Sequence, residues 1–430
     1  MSDVVIVSDV RTPIGSFNGS LSALPAANLA AICIRAALTR AADRGVPPGA
    51  SKDQGESAVP GDGPGAKASP SVSDSLAALA PVLENLPDID EVLLGNVLGA
   101  GQGQNPARQA AIQAGLPASV GATTINKVCG SGLKAVMLGA QAIRAGDARL
   151  VVAGGAESMS RAPYLLARAR QGYRLGNGEL IDSLIHDGLW DAYGNQHMGV
   201  YGDRCASQAG LSRTQLDDFA VRSYQRARHA QAAGLFQEEI IPVPLNGPPL
   251  GVDEGPARFD EAKLRALRPA FSSDGVTTAG NASSINDGAA ALVLMDSATA
   301  RDRGLRPLAR IAGFATHSRE PQWFTLAPID AIRKLLDKLG WTVATTDLFE
   351  VNEAFAAVAL AAEHQLAIPS EKLNPRGGAV ALGHPIGASG ARVLVTLLHA
   401  LRQTGLRRGI ASLCIGGGEA VAMAVETIGD

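Results

Sequence analysis

One short pattern occurs twice in this chain, and it constrains the fold more than any other feature. Cys129-Gly130-Ser131-Gly132 opens an Ala- and Leu-rich helical stretch from Leu133 to Ala145. The apolar strand Leu150-Val151-Val152-Ala153 follows and ends in Gly154-Gly155. Far downstream, His384-Pro385-Ile386-Gly387-Ala388-Ser389-Gly390 opens a comparable helix, Val393 to Arg402. The strand Ile410-Ala411-Ser412-Leu413-Cys414 then runs into Gly416-Gly417-Gly418. A glycine-rich turn, a small-residue helix and a strand ending in glycines imply two similar α/β halves packed against each other. Each half is expected to carry a largely parallel sheet covered by helices, because runs such as Val4 to Val7 and Glu91 to Gly95 are short and apolar. Ala- and Gly-rich helices suit the centre of such a pair, where small side chains permit close packing.

Two stretches stand outside the repeat. Residues 160 to 280 are of mixed polarity with weak periodicity, as expected of a loop-rich layer over a site. From Gly45 to Pro81 the chain is Pro, Gly, Ser and Ala with scattered charges, which reads as a surface insertion.

Composition excludes several classes. A chain of 430 residues with 46% hydrophobic and 18% charged residues has ample material for two or three globular domains. Net charge is −3, so the whole chain is not marked for nucleic acid or a membrane surface. Uncharged apolar runs fall short of the roughly 18 residues of a spanning helix. The four cysteines, Cys33, Cys129, Cys205 and Cys414, match neither a disulfide framework nor a zinc motif. Cysteine this sparse suits a reducing compartment, and Met1 to Val7 has no signal-peptide character, so a cytoplasmic enzyme is expected.

The repeat also places reactive residues. Cys129 precedes a helix whose N-terminus presents unpaired N–H groups, an arrangement expected to lower the thiol pKa. Cys414 ends a strand immediately before three glycines that leave the backbone open to a ligand. His384 stands at the other helix entrance, and Asn352-Glu353-Ala354-Phe355 leads into the Ala-rich helix Ala356 to Ala362. Taken singly, each residue has an ordinary packing role as its alternative.

Together these motifs resemble the thiolases, and among them the biosynthetic acetyl-CoA acetyltransferases. The resemblance extends through Arg11-Thr12-Pro13-Ile14-Gly15, Gly101 to Gln109, His197-Met198-Gly199, Leu267-Arg268-Pro269-Ala270-Phe271 and Ala279-Gly280-Asn281-Ala282-Ser283. It implies a thiolase-like α/β fold, with one half spanning 1–297, the other 298–430, and central helices between sheets. It also implies a ping-pong Claisen condensation of two acetyl-CoA to acetoacetyl-CoA, and the reverse thiolysis. Under the resemblance Cys129 is the acylated nucleophile, His384 its base and Cys414 the second acid/base. Asn352 holds a water that, with His384, stabilises one oxyanion; the N–H groups of Cys129 and Gly416 stabilise the other. Ser283 meets the pantetheine arm, and Leu189, His197, Met198, Phe271, Ala279, Ala354 and Phe355 line the substrate tunnel. No metal or resident cofactor is implied, coenzyme A being substrate and product. The implied partners are acyl-CoA, CoA and copies of the same chain in a homodimer or homotetramer, with neither nucleic acid nor membrane.

Some positions depart from the family pattern. Ser284 stands in place of a usual Gly, Asn374-Pro375-Arg376 in place of Asn-x-Asn, and Glu419 in place of a small or apolar residue. Asp191 to Gln196 and Trp323 to Pro328 also differ, and these bear on acyl-chain preference. A thiolase of broader or longer chain range in β-oxidation or aromatic breakdown is therefore the alternative. A non-catalytic acyl-CoA binder and a carrier-protein condensing synthase fit less well, because the Cys-His-Cys set is intact. The arginine-rich run Arg161 to Arg174 has three readings: contact with CoA phosphates, subunit contact, or a solvated face.

Overall fold

The first strand, β1 (Val4–Arg11), is buried along its whole length and packs on both faces. Val4 and Ile6 point into one apolar cluster, Val5, Val7 and Val10 into another. Burial on both faces explains a β-branched run without polar alternation. The strand outlasts its apolar stretch because its polar end is neutralised: Arg11 pairs with Glu239 at 2.6 Å and Asp253 at 2.7 Å inside the protein. The computed structural model describes residues 3–44, 82, 83, 86 and 88–429. The proposed insertion, 45–81, lies outside the described residues.

The principal strands after β1 are β2 (Glu91–Gly95), β3 (Gly121–Ile125), β4 (Leu150–Ser158), β5 (Asn286–Asp296), β6 (Ala309–Ser318), β7 (Leu348–Val351), β8 (Arg408–Ile415) and β9 (Glu419–Thr427). They form one sheet in the order β7-β8-β9-β6-β1-β5-β4-β2-β3. The topology carries the repeat. In the first half β3, β2 and β4 are parallel, while β5 is antiparallel to both β4 and β1. In the second half β7 and β8 are parallel, while β9 is antiparallel to both β8 and β6. The counterpart of β3 has shrunk to a parallel bridge between Phe349 and Leu373. The halves join where β1 and β6 pair at Val5–Arg310 and Ile6–Ala309. The expectation of largely parallel sheets is thus corrected: each half is mixed. Each ends in an antiparallel return strand that single-strand patterns do not distinguish from a parallel one.

The helices layer around this sheet. Ala26–Asp43 (α1) and Pro106–Ala114 (α2) cover the outer face of the first half. Ser131–Ala145 (α3) and a helix here labelled α8, Ile386–Gln403, share the inner cluster with the inner faces of both halves. Ala327–Leu339 (α6) and Ala356–Leu366 (α7) cover the outer face of the second half. Between β4 and β5 the first half inserts a long segment holding α4 (Met198–Gln208) and α5 (Arg213–Ala232). At the corresponding point the second half has only the turn Gly416 to Gly418. The segment is more helical than the loop-rich layer expected. The α5 helix starts with a Ser212/Gln215 capping box and buries Leu216, Asp217, Phe219, Ala220, Val221, Ser223, Ala227 and Ala230. Half of that stripe is Ala or Ser, which hides its period from a reading of large apolar residues.

Close backbone approach draws the centre together. A Cβ on Gly95 would stand 2.5 Å from Gly132 N and 2.7 Å from Gly387 O, and one on Gly155 only 2.1 Å from Gly387 O. Gly154 and Gly155 therefore lie inside β4 rather than ending it, and the glycine-rich stretch from Ile386 is the first turn of α8 rather than a loop before it. The contact predicts that Gly155→Ala, which meets backbone that cannot yield, costs about 2–4 kcal/mol in urea denaturation. A loss under about 0.5 kcal/mol would contradict this packing.

Candidate active site

The residues singled out in sequence collect where the two halves meet. Cys129 sits on a tight turn between β3 and α3, one residue before the N-cap Gly130. Val128 holds a left-handed φ of 44°, costly for a β-branched residue. The turn is tied by Gly130 N–H to Lys127 O at 3.0 Å, Lys127 N–H to Ser131 Oγ at 2.8 Å and Ser131 Oγ–H to Val128 O at 2.6 Å. Gly130 packs directly on Ile415, bringing the turn against the end of β8.

Cys414 is fully buried near the end of β8. Its thiol is pushed well above the ordinary range by burial, then by the neighbouring sulfurs of Cys129 and Cys205. The two motif cysteines therefore lie within electrostatic reach of each other. The backbone N–H groups of Gly416 and of Cys129 itself favour the Cys129 thiolate, yet burial still raises the thiol to about 11. The expected lowering by the helix terminus does not prevail. Desolvation outweighs a partial charge that lies beyond the N-cap.

His384 follows Gly383, and its own N–H donates to Asn286 Oδ1 at 3.0 Å. Its Nδ1 lies 2.5 Å from Ser389 Oγ, which itself bonds Pro385 O at 2.9 Å. Because the serine proton goes to that carbonyl, Oγ accepts from Nδ1–H, and Nε2 keeps its lone pair. Nε2 is buried and without a protein partner. Burial, and next the Arg392 charge, push the imidazole down to about 3, so it is neutral at working pH. Asn352, just beyond β7, bonds Ser412 O through its N–H, while both polar atoms of its buried side chain lack protein partners. A neutral imidazole and a carboxamide, both with unused polar atoms, are suited to meet polar atoms of a ligand.

The segment between β4 and β5 contributes an apolar wall. His197 stacks on Phe271 at 4.8 Å, and Phe271 meets Phe355 edge-on at 6.3 Å. His197 Nδ1 accepts from Gly199 N–H and caps α4. The Met198 methyl lies 2.7 Å from where a Cβ on Gly416 would stand. Leu189 and Cys129 both pack against an apolar cluster that includes Ile386. Ser283 donates to Ala354 O at 3.0 Å, beside the Ala282–Phe355 bridge, and Ala279 is exposed.

Sequence reasoning missed two buried carboxylates that hold this arrangement. Glu157 accepts from Val97 N–H, Leu98 N–H, Asn96 and, in α8, Gly387 N–H. Glu353 accepts from Ser223, Asn374 and Val380 N–H. Each adjoined a motif, but acceptor geometry is invisible in a linear pattern. Two departures acquire roles as well. Ser284 donates to Asn286 Oδ1, the same oxygen that receives His384 N–H. Asp191 accepts from Tyr201 and from Gly194 N–H, each at 2.6 Å, bracing the loop before His197.

Comparison with known proteins agrees with this assembly. The thiolase N-terminal domain matches residues 72–298 and the thiolase C-terminal domain residues 305–427. The chain is 48% identical over 430 residues to an acetyl-CoA acetyltransferase of Chromobacterium violaceum, covering 99% of each. It is 46% identical to acetyl-CoA acetyltransferase 2 of Arabidopsis thaliana, covering 99% of this chain and 97% of that one. The crystal structure of Acat5 thiolase from Ascaris suum in complex with coenzyme A superposes with a TM-score of 0.85 at 40% identity, covering 99% of this chain and all of that one. The chain belongs to the thiolase family. It is accordingly an acyltransferase with the thiolase fold.

The raised thiol makes a prediction. Alkylation of Cys129 by iodoacetamide, followed by peptide mass spectrometry, should accelerate about tenfold per pH unit from pH 7 to 9 without levelling. A plateau below pH 8 would contradict a thiol near 11.

Proposed function

We propose that this protein is an acetyl-CoA C-acetyltransferase, joining two acetyl-CoA into acetoacetyl-CoA and CoA and running the reverse thiolysis. The observation that carries the reading is that Cys129 and Cys414, one from each half, lie within electrostatic reach of each other, while the buried His384 Nε2 keeps an unused lone pair. Full-length relatives bearing that enzyme name support the short-chain substrate.

In the first step His384 Nε2 takes the Cys129 proton as sulfur attacks the acetyl carbonyl. The carbonyl oxygen becomes an oxyanion facing the N–H groups of Cys129 and Gly416, donors worth about 3 kcal/mol each in the transition state. CoA leaves with a proton from Cys414, whose thiolate then removes an α-proton from the second acetyl-CoA. The enolate oxygen receives the Nε2–H of protonated His384 and a hydrogen bond relayed from Asn352. Enolate carbon attacks the acetyl-Cys129 carbonyl, the carbon–sulfur bond breaks, and His384 returns the proton to sulfur. With the thiol near 11 and the imidazole near 3, the proton rests on sulfur in the free site.

Ser283 on the pantetheine arm, and Leu189, His197, Met198, Phe271, Ala279, Ala354 and Phe355 along the tunnel, complete the reading. Subunit association belongs to it too. Tyr164, Leu166, Leu175 and Leu180 are all exposed on the segment after β4, which supports copy-to-copy contact there in a dimer or tetramer. Among the described residues no helix is long and apolar enough to cross a membrane. A cytoplasmic location fits four cysteines that all remain free thiols.

One set of assays tests the reading. Thiolysis of acetoacetyl-CoA should exceed that of longer 3-oxoacyl-CoA esters, and acetyl-CoA should leave an acetyl group on Cys414→Ala but none on Cys129→Ala. A tenfold preference for the longer esters would transfer the protein to the broad-range thiolases. An acetylated Cys129→Ala enzyme would displace the nucleophile.

A further inference from the structure

Glu419, one of the departures from the family pattern, opens β9 directly after Gly416 to Gly418. Its carboxylate forms an ion pair with Lys127, a residue of the opposite half two positions before Cys129. The other oxygen receives Ser318 Oγ–H at 3.2 Å from β6, and Arg319 N–H bonds Gly418 O at 2.8 Å. The glycine turn is therefore fastened to its own half by two bonds and to the nucleophile turn by one ion pair. Lys134 of α3 is the further charge that feels Glu419.

Both turns need such a fastening. Gly417 and Gly418 hold φ values of 94° and 97°, and three consecutive glycines give the segment bearing Gly416 little stiffness of its own. The nucleophile turn is strained at Val128. A Cβ on Gly416 would meet only Met198 and Val128, whose side chains do not hold its N–H, the group that acts on the Cys129 sulfur.

We propose that the Lys127–Glu419 ion pair is a positioning clasp that holds the Gly416–Gly418 turn against the nucleophile turn and keeps Gly416 N–H aimed at the Cys129 sulfur. The inference deepens the acetyltransferase reading and rests on it for the oxyanion role of Gly416. The side chains are 21% and 36% exposed, so the pair adds little to global stability. Its effect is on alignment, and small misplacements of an oxyanion donor are costly to rate.

The test compares the wild type with the double variant Lys127→Met/Glu419→Gln, which leaves the net charge of the pair unchanged, and with the charge-swapped Lys127→Glu/Glu419→Lys. Thiolysis kinetics, melting temperature and iodoacetamide alkylation of Cys129 at fixed pH are measured on all three. We expect the neutral double variant to lose about tenfold in kcat with KM values within about twofold. Its alkylation should slow about threefold as the N–H support of the thiolate loosens, while melting shifts by no more than about 2 °C. The swapped variant should recover most of both rates. Unchanged kcat and alkylation in the neutral variant, or no recovery in the swapped one, would overturn the clasp. A rise in KM at constant kcat would also overturn it, by assigning the pair to substrate binding. A wild type inert toward every 3-oxoacyl-CoA would sink the acetyltransferase reading instead, and alkylation would still decide the clasp.

Discussion

The structure depends on backbone meeting backbone at its centre. Gly95 ends β2, Gly132 and Gly390 lie in the first turns of α3 and α8, and Gly155 and Gly387 touch across β4 and α8. Any side chain there would separate two helix N-termini that belong to different halves. Because they are not separated, Cys129 packs against an apolar cluster that includes Ile386, two residues after His384. Burial is the consequence that governs the chemistry. It raises the Cys129 thiol and lowers the His384 imidazole, the reverse of a preformed thiolate–imidazolium pair.

The two halves are alike in topology and unlike in use. The first supplies the Cys129 turn and, between β4 and β5, a long segment that carries the stacked His197 and Phe271 and sets Met198 against Gly416. The second closes the same connection with three glycines and supplies Cys414, Asn352, His384 and the Gly416 amide. The halves thus share one topology and differ most in one connection, a long segment between β4 and β5 and a three-glycine turn between β8 and β9. The buried carboxylates extend the division of labour. Glu157 joins the loop after β2 to α8, and Glu353 joins α5 to the turn before His384.

Much of this was legible in linear form. Repeated glycine, small-residue helix and apolar strand pointed to two α/β halves, and the separate motifs together pointed to the thiolase family through their resemblance to it. The antiparallel return strands β5 and β9 were not legible as such, since their apolar content matches that of the parallel strands. The α5 helix escaped because alanine and serine carry half its buried stripe. The rise of the Cys129 thiol is not legible in sequence, which displays the helix that follows the residue, whereas the desolvation comes from distant parts of the chain. Cys205 stood in no motif, yet its sulfur lies close enough to Cys414 to raise that thiol further. Ser389 likewise stands in plain view within the His384 motif, but its bond to Nδ1 follows from a helical turn that the glycines of that motif disguise.

The account rests on two sulfurs from different halves sharing one site, and a short bifunctional thiol reagent measures that directly. Treatment with 1,3-dibromoacetone, digestion and mass spectrometry should yield the Cys129 peptide joined to the Cys414 peptide by a single three-carbon bridge. Separate alkylation of the two cysteines, with no joined peptide at any reagent ratio, would contradict a common site.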